Sequence, residues 1–155
     1  MERMPITKEG YDTLRRELDR LKTKDRPENI QAIEEARAHG DLSENAEYHA
    51  AKDRQGFIEG RINQLQYKIA TADVIDISSL PKDRVVFASR VLLENTDTEE
   101  NVEYQIVGPD ESDIEKGRIS MLSPLGKAMI GKKPGDEITL DAPGGKRTYE
   151  LVEIL

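Results

Sequence analysis

Two carboxylates three residues apart, Asp41 and Glu44, are the side chains in this sequence best suited to chemistry. They follow Gly40, at a predicted break between two helices, so both lie near the start of the second helix. Carboxylate oxygens are hard ligands for Mg²⁺, which often uses one or two protein carboxylates and fills its other positions with waters and phosphates. Such a pair would bind the metal poorly unless other ligands completed the shell.

The same spacing has a structural interpretation. Asp41 as N-cap with Glu44 at the third helical position would form a capping box, and both charges suit the positive end of the helix dipole. Spacing alone favours the capping box, and both interpretations stay open at this point.

Other polar side chains flank this turn. His39 and His49 are ten residues apart across a helix boundary, so we do not predict a zinc site. Arg37, Lys52 and Arg54 form a sparse basic cluster interleaved with acidic residues. The cluster fits local ion pairs on solvated helix faces, or a surface for an RNA backbone near the tip, and the pattern alone favours ion pairs.

The elements that would position these side chains are two long helices. Residues spaced alternately four and three apart form an apolar seam that begins at Thr7, the predicted helix cap. The spacing is interrupted at Asp25, where Pro27 implies a kink or a restart of the helix. The apolar pattern resumes with Ile30 and Ile33. The helix ends near Ala38, and Gly40 suits a left-handed C-terminal cap. The first series comprises Thr7, Tyr11, Leu14, Leu18 and Leu21.

A second helix is predicted from Glu44 to Asp73, with a length of roughly 45 Å at about 1.5 Å per residue. Its apolar seam is narrow, and a compact bundle would need a third helix or a wider apolar face. We therefore predict an antiparallel coiled-coil hairpin over residues 1–76, with its tip at residues 39–45. The seam contains Tyr48, Ala51, Gln55, Ile58, Ile62, Leu65, Ile69 and Ala72.

After Asp76 the pattern changes to short β segments separated by turns. A linker at residues 77–82 leads to a small, mostly antiparallel sheet domain at residues 83–155, so the fold class is α+β. One short helix follows Ser123, its predicted N-cap, with Pro124 at the first helical position. The predicted strands are Val85–Phe87, Val91–Leu93, Val102–Val107, Ile119–Leu122, Ile138–Leu140 and Tyr149–Leu155, with a turn at Pro143-Gly144-Gly145 before the last.

Composition excludes several classes of protein. The 155 residues carry 23 Lys and Arg against 31 Asp and Glu, a net charge of −8, which argues against a protein that grips duplex nucleic acid by itself. There is no Cys, so disulfides, thiolate zinc sites and cysteine nucleophiles are excluded. No signal peptide or membrane-spanning stretch is recognisable, and we predict a soluble cytoplasmic protein.

Several segments together resemble one family. ARAHGDLSENAEYHAAKDRQGFIEGRI, residues 36–62, is similar to the hairpin-tip region of the bacterial transcript cleavage factors of the GreA family. The resemblance extends over the whole chain. ITKEGY at residues 6–11 resembles the family's start, and VEYQIVG at 102–108, ISMLSP at 119–124 and PGG at 143–145 resemble its C-terminal domain.

The resemblance implies an accessory factor, not an enzyme, that binds bacterial RNA polymerase at the rim of its secondary channel. The hairpin would enter the channel and stimulate the polymerase's own cleavage of the nascent RNA 3′ end in backtracked complexes. Asp41 and Glu44 would help to hold a catalytic Mg²⁺ that the polymerase shares, and Arg37, Lys52 and Arg54 would contact RNA. An FKBP-like C-terminal domain would dock through Ser120, Ser123 and Pro124. We expect a monomer in the cytoplasm with no membrane partner.

Three other functions fit the sequence less well. A prolyl isomerase would need an aromatic-lined pocket, but residues 77–155 offer only Phe87, Tyr104 and Tyr149. An anti-cleavage relative that inhibits transcription from the same channel would carry a denser acidic tip than DLSE at residues 41–44. A plain coiled-coil adaptor would not need Asp41 or Glu44. The sparse basic cluster favours the GreA type over the more basic GreB type.

Overall fold

The computed structural model describes residues 2–41 and 43–155 and confirms the predicted α+β architecture. Contacts divide the chain into a helical unit, residues 11–72, and a sheet unit that joins residues 3–10 to residues 73–155. The prediction placed all of residues 1–76 in the hairpin, whereas in the structure the N-terminal strand packs within the sheet unit. Leu42, inside the predicted tip, lies outside the described residues.

The first helix begins where the sequence indicates. Strand β1 (Met4–Thr7) runs directly into helix α1 (Lys8–Arg20). The hydroxyl of Thr7 accepts a hydrogen bond from the Gly10 amide at 3.1 Å, so the predicted cap is confirmed.

The faltering register near Asp25 is a π-helical turn. Residues Leu21–Asp25 form this turn, and helix α2 (Arg26–Ala38) follows without a break in the helical backbone, with Pro27 in its first turn. A π-turn holds one residue more than an α-turn. The seam after Leu21 is accordingly one residue late, at Asn29, Ile33 and Ala36, all of them buried. Ile30, predicted in the seam, is exposed because the neighbouring Asn29 occupies that level of the seam.

Helix α3 (Ala46–Ala70) packs against α2 through the predicted seam, with Ala51, Ile58, Ile62 and Leu65 buried. Buried Asn29 donates its side-chain amide to the carbonyl of Ala51 at 2.9 Å. Two forked ion pairs join the helices. Arg26 donates twice to Glu59, both at 2.8 Å, and Arg61 donates to Glu17 at 2.6 and 2.8 Å.

The second helix is shorter than predicted. It has 25 residues, about 37 Å at 1.5 Å per residue, because it starts at Ala46 instead of Glu44 and ends at Ala70. Strand β2 (Ala72–Ile75) occupies its predicted last turn and pairs with β1 in a two-stranded sheet that the sequence analysis missed. No helix of the described residues is apolar over a length sufficient to span a membrane.

The sheet unit contains five strands in the order β5-β4-β3-β7-β6. All neighbouring strands are antiparallel except β4 and β5, which are parallel. Strand β7 follows β6 across the predicted turn at Pro143-Gly144, with Ala142 paired to Gly145. The bounds are β3 (Arg90–Asn95), β4 (Asn101–Val107), β5 (Arg118–Ser120), β6 (Glu137–Ala142) and β7 (Gly145–Ile154).

The core of this unit lies between the sheet and the short helix α4 (Pro124–Met129). Its fully buried side chains include Val91, Leu93, Ile106, Met129, Ile138 and Leu151.

The predicted strand Val85–Phe87 is wrong. Val85 is buried, but its backbone bonds to the segment after α4, donating to the Lys132 carbonyl and accepting from the Gly131 amide, both at 2.8 Å. Ala88 then takes a left-handed conformation with φ 72°, which ends any extended run.

A deletion within the π-turn tests whether this turn holds one extra residue. Removing Lys24, an exposed residue of the turn, should convert the turn to α-helix and leave every seam residue in place. The free energy of unfolding should then change by less than about 1 kcal/mol. Thermal and denaturant unfolding followed by far-UV circular dichroism would measure it.

Deleting Asn63 is the matched control. Asn63 is also an exposed helical residue, but α3 holds no extra residue, so Leu65 and the residues after it would rotate out of the seam. The expected cost is about 2–5 kcal/mol, as for the loss of a buried Leu. Equal destabilisation by the two deletions would contradict this account of the π-turn.

Candidate functional site

The chain reverses direction between α2 and α3 over residues 39–45. The amides of His39 and Gly40 donate back to the carbonyls of Ala36 and Arg37, each at 3.2 Å, which closes the end of α2. Gly40 has φ 110°, a conformation that glycine adopts readily, so the predicted left-handed cap is confirmed.

Asn45 joins the two helix ends. Its side-chain oxygen accepts the Tyr48 amide at 3.1 Å, which makes it the N-cap of α3. Its side-chain nitrogen donates to the carbonyl of Ala36 at 2.7 Å, in the last turn of α2. One amide thus adds a second hydrogen bond to a carbonyl in the last turn of α2 and caps a free N–H at the start of α3.

The predicted capping box is therefore wrong. Asp41 is not the N-cap of α3, and Glu44 precedes the helix instead of occupying its third position. A cap must stand immediately before the first helical turn, and Asn45 already occupies that place.

Asp41 is exposed and makes a local turn of its own. Its Oδ1 accepts the hydroxyl of Ser43 at 2.8 Å and the Ser43 amide at 3.0 Å. These hydrogen bonds, the hydroxyl first and then the amide, lower the pKa of Asp41 below its ordinary value. The carboxylate is thus ionised at neutral pH and is held in one orientation.

Glu44 is also exposed, and it makes no hydrogen bond or ion pair with a described residue. Two exposed carboxylates at one turn are a donor set that suits Mg²⁺. Within residues 2–41 and 43–155, no group of three or more His, Asp or Glu side chains is arranged to hold a metal. The tip by itself therefore supplies at most part of a coordination shell.

The two histidines have separate partners. His39 Nε2 lies 4.0 Å from a carboxylate oxygen of Glu47. His49 Nε2 lies 3.2 Å from the carbonyl oxygen of Ser43, and its ring contacts Tyr48 edge-on. His49 thus supports the backbone of the tip.

The three basic residues of the predicted cluster do not form one patch. Arg37 lies over the ring of Tyr48, 5.9 Å from its centre. Lys52 donates to Gln55 at 2.8 Å, and Arg54 lies 3.9 Å from Asp25. Lys52 and Arg54 are two positions apart, about 200° around the helix, so they lie on different faces of α3. Within the described residues Arg54 alone of the three forms an ion pair, and its partner Asp25 is 29 positions away, so the local ion pairs that the sequence pattern favoured are not found here.

The predicted docking stretch lies in the sheet unit, between β5 and α4. Ser123 caps α4 by accepting the Gly126 amide at 3.0 Å, which confirms its predicted structural role, and its hydroxyl donates to the Ser120 carbonyl at 2.7 Å. Ser120 in turn accepts the amide of Leu122 at 3.1 Å. Leu122 is 52% exposed at the centre of this bonded loop, next to exposed Pro124. An apolar side chain is thus presented on a fixed backbone.

The sequence analysis missed the function of Asn45. The signal was available, because Asn is among the strongest N-cap residues and Asn45 stands directly before the helix-favouring run Ala46-Glu47.

Two family comparisons cover almost the whole chain. Residues 4–74 match the family described as "Transcription elongation factor, N-terminal". Residues 80–155 match the family described as "Transcription elongation factor, GreA/GreB, C-term".

Individual relatives agree. The chain is 55% identical to "Transcription elongation factor GreA" of Halorhodospira halophila, covering 99% of this chain and 98% of that protein. It is 54% identical to the protein of the same name from Thermodesulfovibrio yellowstonii, covering 99% and 97%. Among solved structures, "Crystal structure of GreA factor homolog 1 (Gfh1) protein of Thermus thermophilus" is 30% identical, with a TM-score of 0.46 and 99% of each chain covered. From the two matched domains and these full-length identities, the chain belongs to the GreA/GreB family of transcription elongation factors.

Proposed function

We propose that this protein binds bacterial RNA polymerase through its secondary channel and stimulates the polymerase's intrinsic cleavage of the nascent RNA 3′ end in backtracked, arrested complexes. Elongation then resumes from the new 3′ end. The observation that carries the proposal is the state of the tip. Asp41 and Glu44 are exposed, and neither caps α3, so both carboxylates remain available to a ligand.

The tip residues would hold part of the coordination shell of a catalytic Mg²⁺ that the polymerase shares. When bound, such an ion activates an attacking water and stabilises charge on the reacting phosphate. Asp41 contributes an ionised, oriented carboxylate, since the Ser43 hydrogen bonds use only one of its oxygens. Glu44 contributes a second carboxylate on a longer side chain. Hydrolysis belongs to the polymerase active site, and the protein is an accessory factor in this proposal.

Basic residues behind the tip would steady the RNA. Arg37 and Lys52 are exposed on helices that meet at the tip, and Arg54 is 54% exposed. Because the three do not form one patch, we propose that each makes a separate contact with the RNA backbone and that none is a general nucleic-acid-binding surface.

The sheet unit would supply docking. The loop with Ser120, Ser123 and Pro124 is held by its own hydrogen bonds and exposes Leu122. Because the loop is already ordered, binding through it would cost little conformational entropy. We propose that it contacts the channel rim, that one monomer binds one polymerase, and that this occurs in the cytoplasm with no membrane partner.

The alternative is an anti-cleavage factor that occupies the same channel and inhibits transcription. Adding the protein and Mg²⁺ to a stalled, backtracked elongation complex separates the two. Short 3′ RNA fragments and resumed elongation support the proposal. Suppressed cleavage would instead establish the inhibitor.

Removing the charges at the tip should abolish stimulation. Asp41→Asn and Glu44→Gln keep side-chain size, and neither residue caps α3, so stability should hardly change. Cleavage should fall by roughly 10²–10³, equivalent to about 3–4 kcal/mol of transition-state stabilisation, while polymerase binding stays near normal. Raising the Mg²⁺ concentration should partly restore the rate. The measurement is cleavage rate against Mg²⁺ for each variant, with binding in parallel.

Asn45→Ala is the converse control. It removes the cap of α3, at a cost of about 1 kcal/mol in stability, and leaves both carboxylates in place. A variant that is less stable but still responds to Mg²⁺ as the wild type does would show that capping and metal binding are separate. Full activity of Asp41→Asn at low Mg²⁺ would refute the metal role.

Docking should depend on the loop before α4. Leu122→Asp should raise the concentration of factor needed for half-maximal cleavage at least tenfold, as about 1.4 kcal/mol of lost binding would, and leave the maximal rate unchanged. Ile114→Asp makes the same change at another exposed apolar residue, 72% exposed, in the same unit. Equal effects from the two variants would mean that the loop is not the docking site.

A further inference from the structure

Glu111 is a buried carboxylate that the proposed function does not use. It ends the short 3₁₀ turn Pro109–Glu111 after β4 and is only 9% exposed. Charged side chains are rarely buried unless they are paired or hydrogen-bonded, because leaving water costs them several kcal/mol. The partners of Glu111 therefore indicate why it is there.

Those partners lie in the N-terminal segment and in the turn itself. The Thr7 amide donates to Glu111 Oε2 at 3.2 Å, and the Gly108 amide donates to the same oxygen at 3.1 Å. The Thr7 hydroxyl donates to Oε1. Three donors converge on one carboxylate, and hydrogen bonds to a charged acceptor are roughly twice as strong as neutral ones. All of these residues belong to the sheet unit.

The same cluster holds the first turn of α1. The Thr7 hydroxyl that donates to Glu111 also accepts the Gly10 amide. Gly10 packs so closely on Glu111 that a Cβ at this position would overlap the carboxyl group. Arg118 of β5 adds an ion pair to Glu9, at 2.5 Å. The start of the helix is thus held by its cap, by close packing and by charge.

We propose that Glu111 is a positioning residue that fixes the start of helix α1 on the docking unit, and that cleavage stimulation depends on this anchor. This inference rests on the proposed function. Helix α1 starts in the Glu111 cluster and continues, through Leu21–Asp25 and α2, to the residues of the tip. A loosened first turn would leave the carboxylates intact but less well placed. Misplacement by about 1 Å can cost 10²-fold in rate.

The experiment compares three variants in the full-length protein. Thr7→Val keeps the side-chain shape but removes the hydroxyl that joins Glu111 to Gly10. Thr7→Ser keeps the hydroxyl and serves as the conservative rescue. Glu115→Gln is the surface control, which removes a charge from an exposed residue of the same unit outside the cluster.

Two measurements are made on each. Amide hydrogen exchange at Thr7, Gly10 and Gly108 reports opening of the cluster directly, without polymerase. Cleavage rate against factor concentration separates the maximal rate from half-saturation. In Thr7→Val we expect exchange to accelerate about 10- to 100-fold, from the loss of one hydrogen bond to a charged group and of the cap on the Gly10 amide. We expect the maximal cleavage rate to fall roughly 10- to 100-fold at unchanged half-saturation. Thr7→Ser and Glu115→Gln should match the wild type.

Each other outcome overturns a specific step. Wild-type exchange in Thr7→Val would mean that Glu111 does not anchor the segment. Faster exchange with a wild-type maximal rate would refute the positioning role, and a shift in half-saturation alone would place the effect in docking. Wild-type protein that stimulates no cleavage would refute the proposed function, and the exchange data would still decide the anchor.

Discussion

The two helix ends at the tip are joined by one side-chain amide, that of Asn45. A helical hairpin leaves carbonyls unpaired at the end of one helix and amides unpaired at the start of the next. Asn45 accepts from the Tyr48 amide and donates to the Ala36 carbonyl, which also accepts the His39 amide, and so joins the two helix ends without using a charged residue. The carboxylates of Asp41 and Glu44 are therefore not needed for the helix ends. Asn45 thus has the structural role in this loop, and Asp41 and Glu44 have the proposed chemical role.

The stability of the helical hairpin depends on the alignment of its helices along their length. Its apolar seam is narrow, with about one buried side chain from each helix at most levels. A charged chain with 36% hydrophobic residues has few apolar side chains to place there. The forked pairs Arg26–Glu59 and Arg61–Glu17 add directional contacts that an apolar seam lacks. They are partly exposed, so their contribution to stability is modest, and their clearer effect is to disfavour a shifted alignment of the helices. The π-turn at Leu21–Asp25 keeps that alignment despite one extra residue.

Periodicity predicted the helices and strands well because burial on one face repeats along an element. It placed Ala51, Ile58, Ile62 and Leu65 correctly, and it detected the break at Asp25. It misplaced Ile30, because a polar residue, Asn29, occupies that level of the seam, and a pattern of apolar residues does not reveal it. Nor could it find the pairing of β1 with β2 or the contact of Glu111 with Thr7, which joins residues 104 positions apart. At the tip, the sequence identified Asp41 and Glu44 as residues of interest but assigned them the cap that Asn45 provides.

The solvent exposure of Asp41 and Glu44 also affects the conditions under which they would bind a cation. Charges a few ångströms apart interact by only about 1 kcal/mol in water, but several times more strongly where protein displaces the water and lowers the effective dielectric constant. Asp41 and Glu44 are exposed to solvent in the free protein, so their mutual repulsion costs little and their attraction for a cation is weak. Enclosure by a partner would strengthen both terms at once, and a divalent cation would then relieve the repulsion. In the proposed function, such an exposed pair would therefore bind a cation weakly alone and would become an effective ligand only inside the polymerase.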